Sequence, residues 1–168
     1  MLVLGIDPGT AITGYGLVRE DDGELALVSC GVITTPSDQP LPNRLATIYD
    51  RLSGLIAEYR PHAMAVEQLF FSRNVRTALA VGQARGVALL TAAHAGLPVY
   101  EYTPLQVKQA IVGYGRAEKG QVQEMVRLVL KLDAVPQPDD AADAVAVAVC
   151  HLHSVRLLDL LAGQEGEG

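Results

Sequence analysis

The sequence predicts an α/β fold built on a mixed five-stranded sheet, with three antiparallel strands followed by two parallel strands and helices on both faces. One observation is a run of three strand-like segments with short links, at 2–7, 13–19 and 24–35. The other is the alternation of helical and strand-like segments through the rest of the chain. Because 168 residues suit one domain, we expect a single domain over 1–162 and a disordered tail over 163–168.

The first three segments are predicted to form an antiparallel meander. The run Leu2-Val-Leu-Gly-Ile-Asp7 is apolar and of strand length, and Pro8-Gly9 ends it. Asp21-Asp22-Gly23 is a tight-turn signal between the second and third strands.

In the rest of the chain, segments with the apolar spacing of a helix alternate with short segments typical of a strand. Apolar residues recur at helical spacing over 42–60, which predicts an amphipathic helix before a fourth strand at 63–67. A helix rich in Ala and Gly over 76–95 precedes a fifth strand at 98–102. Three further helices are predicted: a short one after Pro104, one from Lys119 to Leu132, and one that Asp139 or Asp140 caps and that ends at about Leu161.

Composition excludes several classes of protein. Apolar residues make up 49% of the chain and charged residues 19%, which excludes a disordered chain. No run of 18 apolar residues is free of a charge, Gly or Pro, so we expect no membrane span. The N-terminus lacks the basic flank of a signal peptide, and Cys30 and Cys150 stand isolated in apolar surroundings. We therefore expect a cytoplasmic protein.

Charge is distributed unevenly along the chain. The net charge of −6 argues against a non-specific nucleic-acid binder. Residues 73–131 nevertheless hold eight Lys or Arg against three Glu, between two acidic ends. Charge alone leaves two interpretations open, a nucleic-acid-binding surface or ordinary solvated helix faces.

Four carboxylates stand where predicted elements begin or end. Asp7 closes the first strand, Glu67 closes the fourth, and Asp140 and Asp143 share one face of the last helix. Each alone is explained by a turn, a strand end or a helix terminus. Four such charges together would cost several kcal/mol without a cation. Hard divalent cations bind oxygen ligands, and a pair about 3.5–4 Å apart can catalyse phosphodiester hydrolysis.

A set of segments resembles the RuvC family of bacterial Holliday-junction resolvases, which belongs to the RNase H-like (retroviral integrase) superfamily. The segments occur in family order and spacing: Gly5-Ile-Asp-Pro-Gly-Thr10, Val66-Glu-Gln-Leu-Phe70, Gly82-Gln-Ala-Arg-Gly86, Gln106-Val-Lys-Gln109, Ala117-Glu-Lys-Gly-Gln-Val122 and Asp140-Ala-Ala-Asp143. The resemblance implies a homodimeric endonuclease that cuts two opposed strands of a four-way DNA junction with Mg²⁺ or Mn²⁺, two ions per site. It also implies cooperation with the RuvA–RuvB branch-migration complex.

The resemblance also implies roles for individual residues. Asp7, Glu67, Asp140 and Asp143 correspond to metal ligands and catalytic residues. Lys108 and Lys119 correspond to catalytic, DNA-binding residues near the scissile phosphate, and Phe70 to an aromatic that stacks on an unpaired base.

Residue chemistry agrees with a DNA-binding loop after the fourth strand. Phe70 and Phe71 are the two Phe of the chain, and Arg73 and Arg76 follow them closely. Exposed aromatic rings beside arginines suit base stacking and phosphate contact. The alternative is that one of the two rings returns into the core.

Other classes of protein remain open from sequence. Ile6-Asp-Pro-Gly-Thr10 followed by Gly14-Tyr-Gly16 also resembles the phosphate loop of actin-like kinases, which need two related domains. A non-catalytic junction-binding protein would explain the basic middle segment but not the four carboxylates. A nuclease that processes ribosomal RNA ends is the nearest alternative among enzymes. For the dimer, the helix over 76–95 is our candidate interface.

Overall fold

The computed structural model describes residues 1–68 and 74–165 of the chain. Its five strands form one sheet in the order β3-β2-β1-β4-β5. The strands are β1 (Leu2–Asp7), β2 (Ile12–Asp21), β3 (Glu24–Thr34), β4 (Ala63–Glu67) and β5 (Val99–Tyr102). β1, β2 and β3 pair antiparallel, whereas β4 pairs parallel with both β1 and β5. The predicted mixed sheet of three antiparallel and two parallel strands is confirmed.

Five helices cover the two faces of this sheet. They are α1 (Leu41–Tyr59), α2 (Val75–His94), α3 (Pro104–Val112), α4 (Lys119–Val129) and α5 (Asp139–Glu165). The predicted end of α4 at Leu132 was wrong by three residues, because Lys131 takes a left-handed conformation with φ of 54°. α5 runs through Glu165, past the predicted end near Leu161. Residues 163–165, predicted as part of the disordered tail, therefore belong to the helix. Residues 166–168 lie outside the described residues, and their disorder stays a prediction.

The turn between β2 and β3 has the predicted conformation. Asp22 and Gly23 both have positive φ, at 51° and 85°. This backbone suits the right-handed twist of a hairpin, and Asp and Gly adopt it at little cost. The Arg156 guanidinium of α5 donates to the Gly23 carbonyl at 3.1 Å, which ties the hairpin to the far half of that helix.

One face of the sheet is packed with large aliphatic side chains. α1 and α2 lie on this face, and the cluster beneath them is fully buried. Its largest members are Leu4, Ile6, Leu17, Ile48, Leu52 and Met64.

The other face is covered by α3, α4 and α5, and here the contact is much closer. Small residues of α5 lie directly on the strands, with Ala141, Ala144 and Ala148 at 0% exposure. A Cβ added to Gly5 on β1 would lie 2.0 Å from the Ala144 carbonyl oxygen, and one added to Gly14 on β2 would lie 1.9 Å from the Asp140 carbonyl oxygen. Backbone therefore meets backbone, so any larger side chain at these positions would displace α5.

α5 is also apolar enough to resemble a membrane span by length and composition. The stretch Asp139–Leu158 has a mean hydropathy of 1.4, but 61% of it is buried inside the protein. Among the described residues it alone has this property. Its burial is that of a core helix, since such helices are apolar all round.

Candidate active site

The sheet brings two of the predicted acids to one edge. β1 and β4 are parallel neighbours with Ile6 opposite Val66, so Asp7 and Glu67 end adjacent strands on the same side of the molecule. On the other side of Asp7, its partner on β2 is Gly14, which lies against the first turn of α5. That turn carries Asp140, and Asp143 follows one turn later. Four carboxylates from three elements therefore converge, as the sequence predicts.

Asp7 is the electrostatic centre of this group. Burial raises the pKa of its carboxyl, and the charges of Glu67, Asp143 and Asp140 raise it further, to about 8. Burial and the charge of Asp143 also raise the pKa of Glu67. Like charges held in a partly buried site disfavour ionisation. The acids are therefore close enough to repel one another, and each would gain from a nearby cation.

Lys119 supplies one positive charge at the edge of the cluster. Its Nζ donates to Asp143 Oδ2 at 2.8 Å and is also paired with Asp139. Although burial lowers the pKa of Lys119, its hydrogen bonds to Asp139 and Asp143 raise the pKa above its usual range. The Gln123 side-chain amide donates to Asp139 Oδ1 at 2.6 Å and so holds the Asp139 carboxylate beside Lys119.

A cleft beside the cluster contains both predicted lysines. It has a volume of about 260 Å³, and Glu67, Lys108, Lys119 and Asp143 line it together with apolar residues of α3, α4 and α5. Lys108 reaches this cleft from α3, and Lys119 is the first residue of α4. The structure thus places the two lysines beside two of the four acids.

Arg76 lies apart from the two lysines. It lines a separate open groove of about 420 Å³, together with Gly9, Thr10, Ile12 and Asp140. The groove reaches the acidic cluster at Asp140, whereas Lys108 lines the other cleft. Arg76 stands in the first turn of α2, where the Asn74 side chain accepts hydrogen bonds from the backbone N–H groups of Arg76 and Thr77. The other residues of the predicted aromatic loop, Phe70, Phe71 and Arg73, lie outside the described residues.

The acids are not gathered into a ready coordination shell. Within residues 1–68 and 74–165, no group of three or more His, Cys, Asp or Glu side chains is placed to hold one ion. The donor set itself fits a hard divalent cation, because all four candidate ligands are carboxylates. The raised pKa of Asp7 agrees with this, because a bound cation would offset the repulsion from the three neighbouring acids.

Sequence reasoning missed the residues that position the acids. Asp139 was considered only as a cap, yet it begins α5 and shares Lys119 with Asp143. Gly5 and Gly14 set the height of α5 above the sheet. The sequence does show glycines on predicted strands and an alanine-rich last helix, and this combination predicts that the helix lies close to the sheet. It does not predict which glycine contacts which turn of the helix.

Solved structures with this fold include several resolvases. The chain superposes on Thermus thermophilus RuvC in complex with a Holliday junction substrate with a TM-score of 0.90, at 40% identity and covering 94% of this chain and 96% of that one. The yeast mitochondrial Holliday junction resolvase shares the fold alone, with a TM-score of 0.61, 15% identity and coverage of 90% and 78%. Fold and sequence likeness therefore define an RNase H-like nuclease of the resolvase class.

Sequence comparison identifies the family within that class. The family model for crossover junction endodeoxyribonuclease RuvC matches residues 3–151. Curated RuvC proteins of Desulfitobacterium hafniense and Roseiflexus are 58% identical over 163 residues and 61% identical over 155. These alignments cover 97% and 92% of this chain, and 99% and 92% of the relatives. The chain belongs to the RuvC family of crossover junction endodeoxyribonucleases.

Proposed function

We propose that this chain resolves Holliday junctions by hydrolysing phosphodiesters in two opposed strands, in homologous recombination and DNA repair. Asp7, Glu67, Asp140 and Asp143 hold the divalent ions that the reaction needs. The observation that carries this proposal is the partly buried Asp7 carboxyl at the end of β1, whose pKa is raised to about 8 by burial and by three neighbouring acids. A structural protein gains nothing from such a cluster, whereas a metal-dependent nuclease requires one.

The chemistry of the four ligands favours Mg²⁺ or Mn²⁺, and two ions per site would balance the negative charge of four ionised carboxylates. Bound divalent ions activate a water and stabilise the leaving oxygen of a phosphodiester. The family's activity on DNA and the absence of soft ligands among the four acids both support this choice over zinc.

The chain's own cations bind the substrate. Lys108 and Lys119 line the cleft that opens beside Glu67 and Asp143, where they stabilise negative charge on a phosphate. Lys119 also orients Asp143 and Asp139 through two ion pairs. Arg76 contacts the DNA backbone in the separate groove that contains Asp140.

The loop after β4 is proposed to recognise the junction itself. Phe70 and Phe71 supply the rings that stack on an unpaired base, and Arg73 contacts a phosphate. Support comes from the sequence and from the position of the described neighbours. Glu67 before the loop lines the cleft of the lysines, and Arg76 after it lines the second groove.

A homodimer supplies the second active site, because a two-fold junction requires two cuts of matching geometry. α2 has a face that suits the contact: Leu79 is 61% exposed and Leu90 is 50% exposed, while Gly82 and Gly86 between them have open space around them. These residues recur at helical spacing. Sedimentation of Gly86→Arg tests the interface: we expect a monomer that loses paired cutting, and an unchanged dimer would place the interface elsewhere.

Cooperation with the RuvA–RuvB branch-migration complex and a cytoplasmic location complete the proposal. Membership of the RuvC family supports both.

Cleavage of a synthetic four-way junction tests the function. The wild-type chain should cut the junction symmetrically in Mg²⁺ or Mn²⁺ and not in EDTA. A linear duplex of the same sequence and a structured RNA precursor serve as matched substrates. Preference for the RNA precursor would favour the ribosomal RNA nuclease, and binding without cutting would favour the non-catalytic protein.

A further inference from the structure

The loop between α3 and α4, residues 113–118, joins the two helices that carry the lysines of the cleft. Lys108 is on the helix before this loop, and Lys119 is the first residue of the helix after it. Tyr114 is five residues from Lys119, so the two Cα atoms are at most about 18 Å apart. DNA rises about 3.4 Å per step. The span from Lys119 to Tyr114 is therefore no longer than about five nucleotides of DNA.

The backbone of this loop is held at three points. Gly113 takes a φ of 89° and donates its N–H to the Gln109 carbonyl at 3.0 Å, which ends α3. Ala117 is buried at 1% exposure and anchors the other end. Between them, a Cβ on Gly115 would lie 2.1 Å from Leu105 Cδ1, so the Leu105 side chain lies directly on the glycine.

The held loop presents an aromatic ring and a cation to solvent. Tyr114 is 47% exposed and Leu105, beneath the loop, is 53% exposed. Arg116 is exposed and has no ion-pair partner among the residues that the structure describes. Residues 104–119 hold three basic side chains against one acidic, so this segment carries a net positive charge.

We propose that Tyr114 and Arg116 form a second DNA contact, on the loop that joins the two lysine-bearing helices. The Tyr114 ring stacks on a base of the junction strand, and the Arg116 guanidinium binds a backbone phosphate. Base stacking on an exposed aromatic with a neighbouring cation is a recurrent mode of DNA binding. A ring on a restrained loop also loses little conformational freedom on binding. This inference rests on the proposed function, since it requires junction DNA in the cleft.

Binding affinity and salt dependence test the two residues separately. In EDTA, Tyr114→Ala should weaken junction binding about 5- to 150-fold, the equivalent of ~1–3 kcal/mol for one stacked base. Tyr114→Phe should bind like the wild type, because the ring is retained. Arg116→Ala should lower the slope of log affinity against log salt by about 1. Arg51→Ala is the matched control, since Arg51 is an exposed arginine of α1, on the other face of the sheet, and also has no ion-pair partner among the described residues.

A fluorescent base reports the stacking directly. 2-Aminopurine placed in turn at the five positions on each side of the cut should be quenched at one position by the wild type and Tyr114→Phe, but not by Tyr114→Ala. Tight binding by the wild type with unchanged affinity and quenching in Tyr114→Ala would overturn this contact and leave the proposed function standing. A wild type that neither binds nor cuts the junction would overturn both. Equal melting temperatures of all variants confirm that folding is not the cause.

Discussion

The two faces of the sheet are packed by different rules. Under α1 and α2, large aliphatic side chains such as Leu52 and Met64 fill the space between layers. Under α5, glycines on the strands meet alanines on the helix with almost no side chain between them. An aliphatic layer can repack when one residue changes, whereas a backbone-to-backbone contact cannot. The difference explains why the acids belong to the α5 face, where position is fixed most tightly.

Replacing Asp7 should have the largest effect on cleavage. Asp7→Asn keeps the volume and removes one of four candidate ligands, so we expect cleavage to fall at least about 1,000-fold, or ~4 kcal/mol. Junction binding in EDTA should persist, and removing one like charge should leave thermal stability equal or higher. Asp50→Asn, on exposed α1 surface, is the control. Wild-type cleavage by Asp7→Asn would refute its metal role.

Adding one methyl group at Gly14 tests the close contact itself. The new Cβ would meet the Asp140 carbonyl oxygen at 1.9 Å, so the first turn of α5 must move. We expect cleavage to fall about 100-fold, the effect of a misplacement of about 1 Å, with a stability loss of ~1–3 kcal/mol.

The matched control lies on the opposite side of the sheet. Gly54 of α1 is exposed and has open space around its Cα. Gly54→Ala should therefore stabilise the protein by ~0.5–1 kcal/mol through helix propensity and leave cleavage unchanged. If Gly14→Ala and Gly54→Ala changed stability and cleavage rate equally, the two faces would not differ in their tolerance of an added methyl group.

Truncating the aliphatic face should separate stability from activity. Leu52 is fully buried, so Leu52→Ala should cost ~2–5 kcal/mol of unfolding free energy by chemical denaturation. Cleavage per folded molecule should stay within about twofold of wild type, because no acid is on that face. A rate loss as large as that of Gly14→Ala would mean that both layers position the acids.

The smallest effect expected is a pH dependence of folding stability, caused by a buried histidine on the α5 face. His151 is 1% exposed, its Nδ1 lies 2.7 Å from the Tyr102 hydroxyl, and burial holds its pKa below the usual value. The unfolded chain takes up a proton at this histidine near pH 6.5 and the folded chain only at lower pH, so the contribution of His151 to stability is lost as pH falls below about 6.5, whereas the raised pKa of Asp7 acts in the opposite direction. The loss is at most ~1.4 kcal/mol per pH unit. Melting curves of His151→Gln should lack it, and an identical pH profile would exclude His151 as the cause.

The sequence was informative where chemistry follows from local pattern. Strand ends and helical spacing predicted Asp7, Glu67, Asp140 and Asp143, and the structure brings them to one edge. The lysines were named through family resemblance, and the structure places both in one cleft.

Residues whose role depends on distant contacts were beyond sequence reasoning. Asp139 is paired with Lys119 across the gap between α4 and α5, and no local pattern relates two residues twenty positions apart. The strand glycines matter because of which turn of α5 lies above them, and that register is a tertiary property.

The contact between β1, β2 and α5 restricts how this chain can change over generations. At Gly5 and Gly14 a hydrogen atom is the only side chain that fits beneath the helix backbone. A substitution there cannot be rescued by one compensating change nearby, because the obstacle is main chain rather than a replaceable side chain. Almost every substitution at these positions should therefore be harmful. Variation should therefore accumulate on the α1 and α2 side, where the exchange of one aliphatic side chain for another stays open.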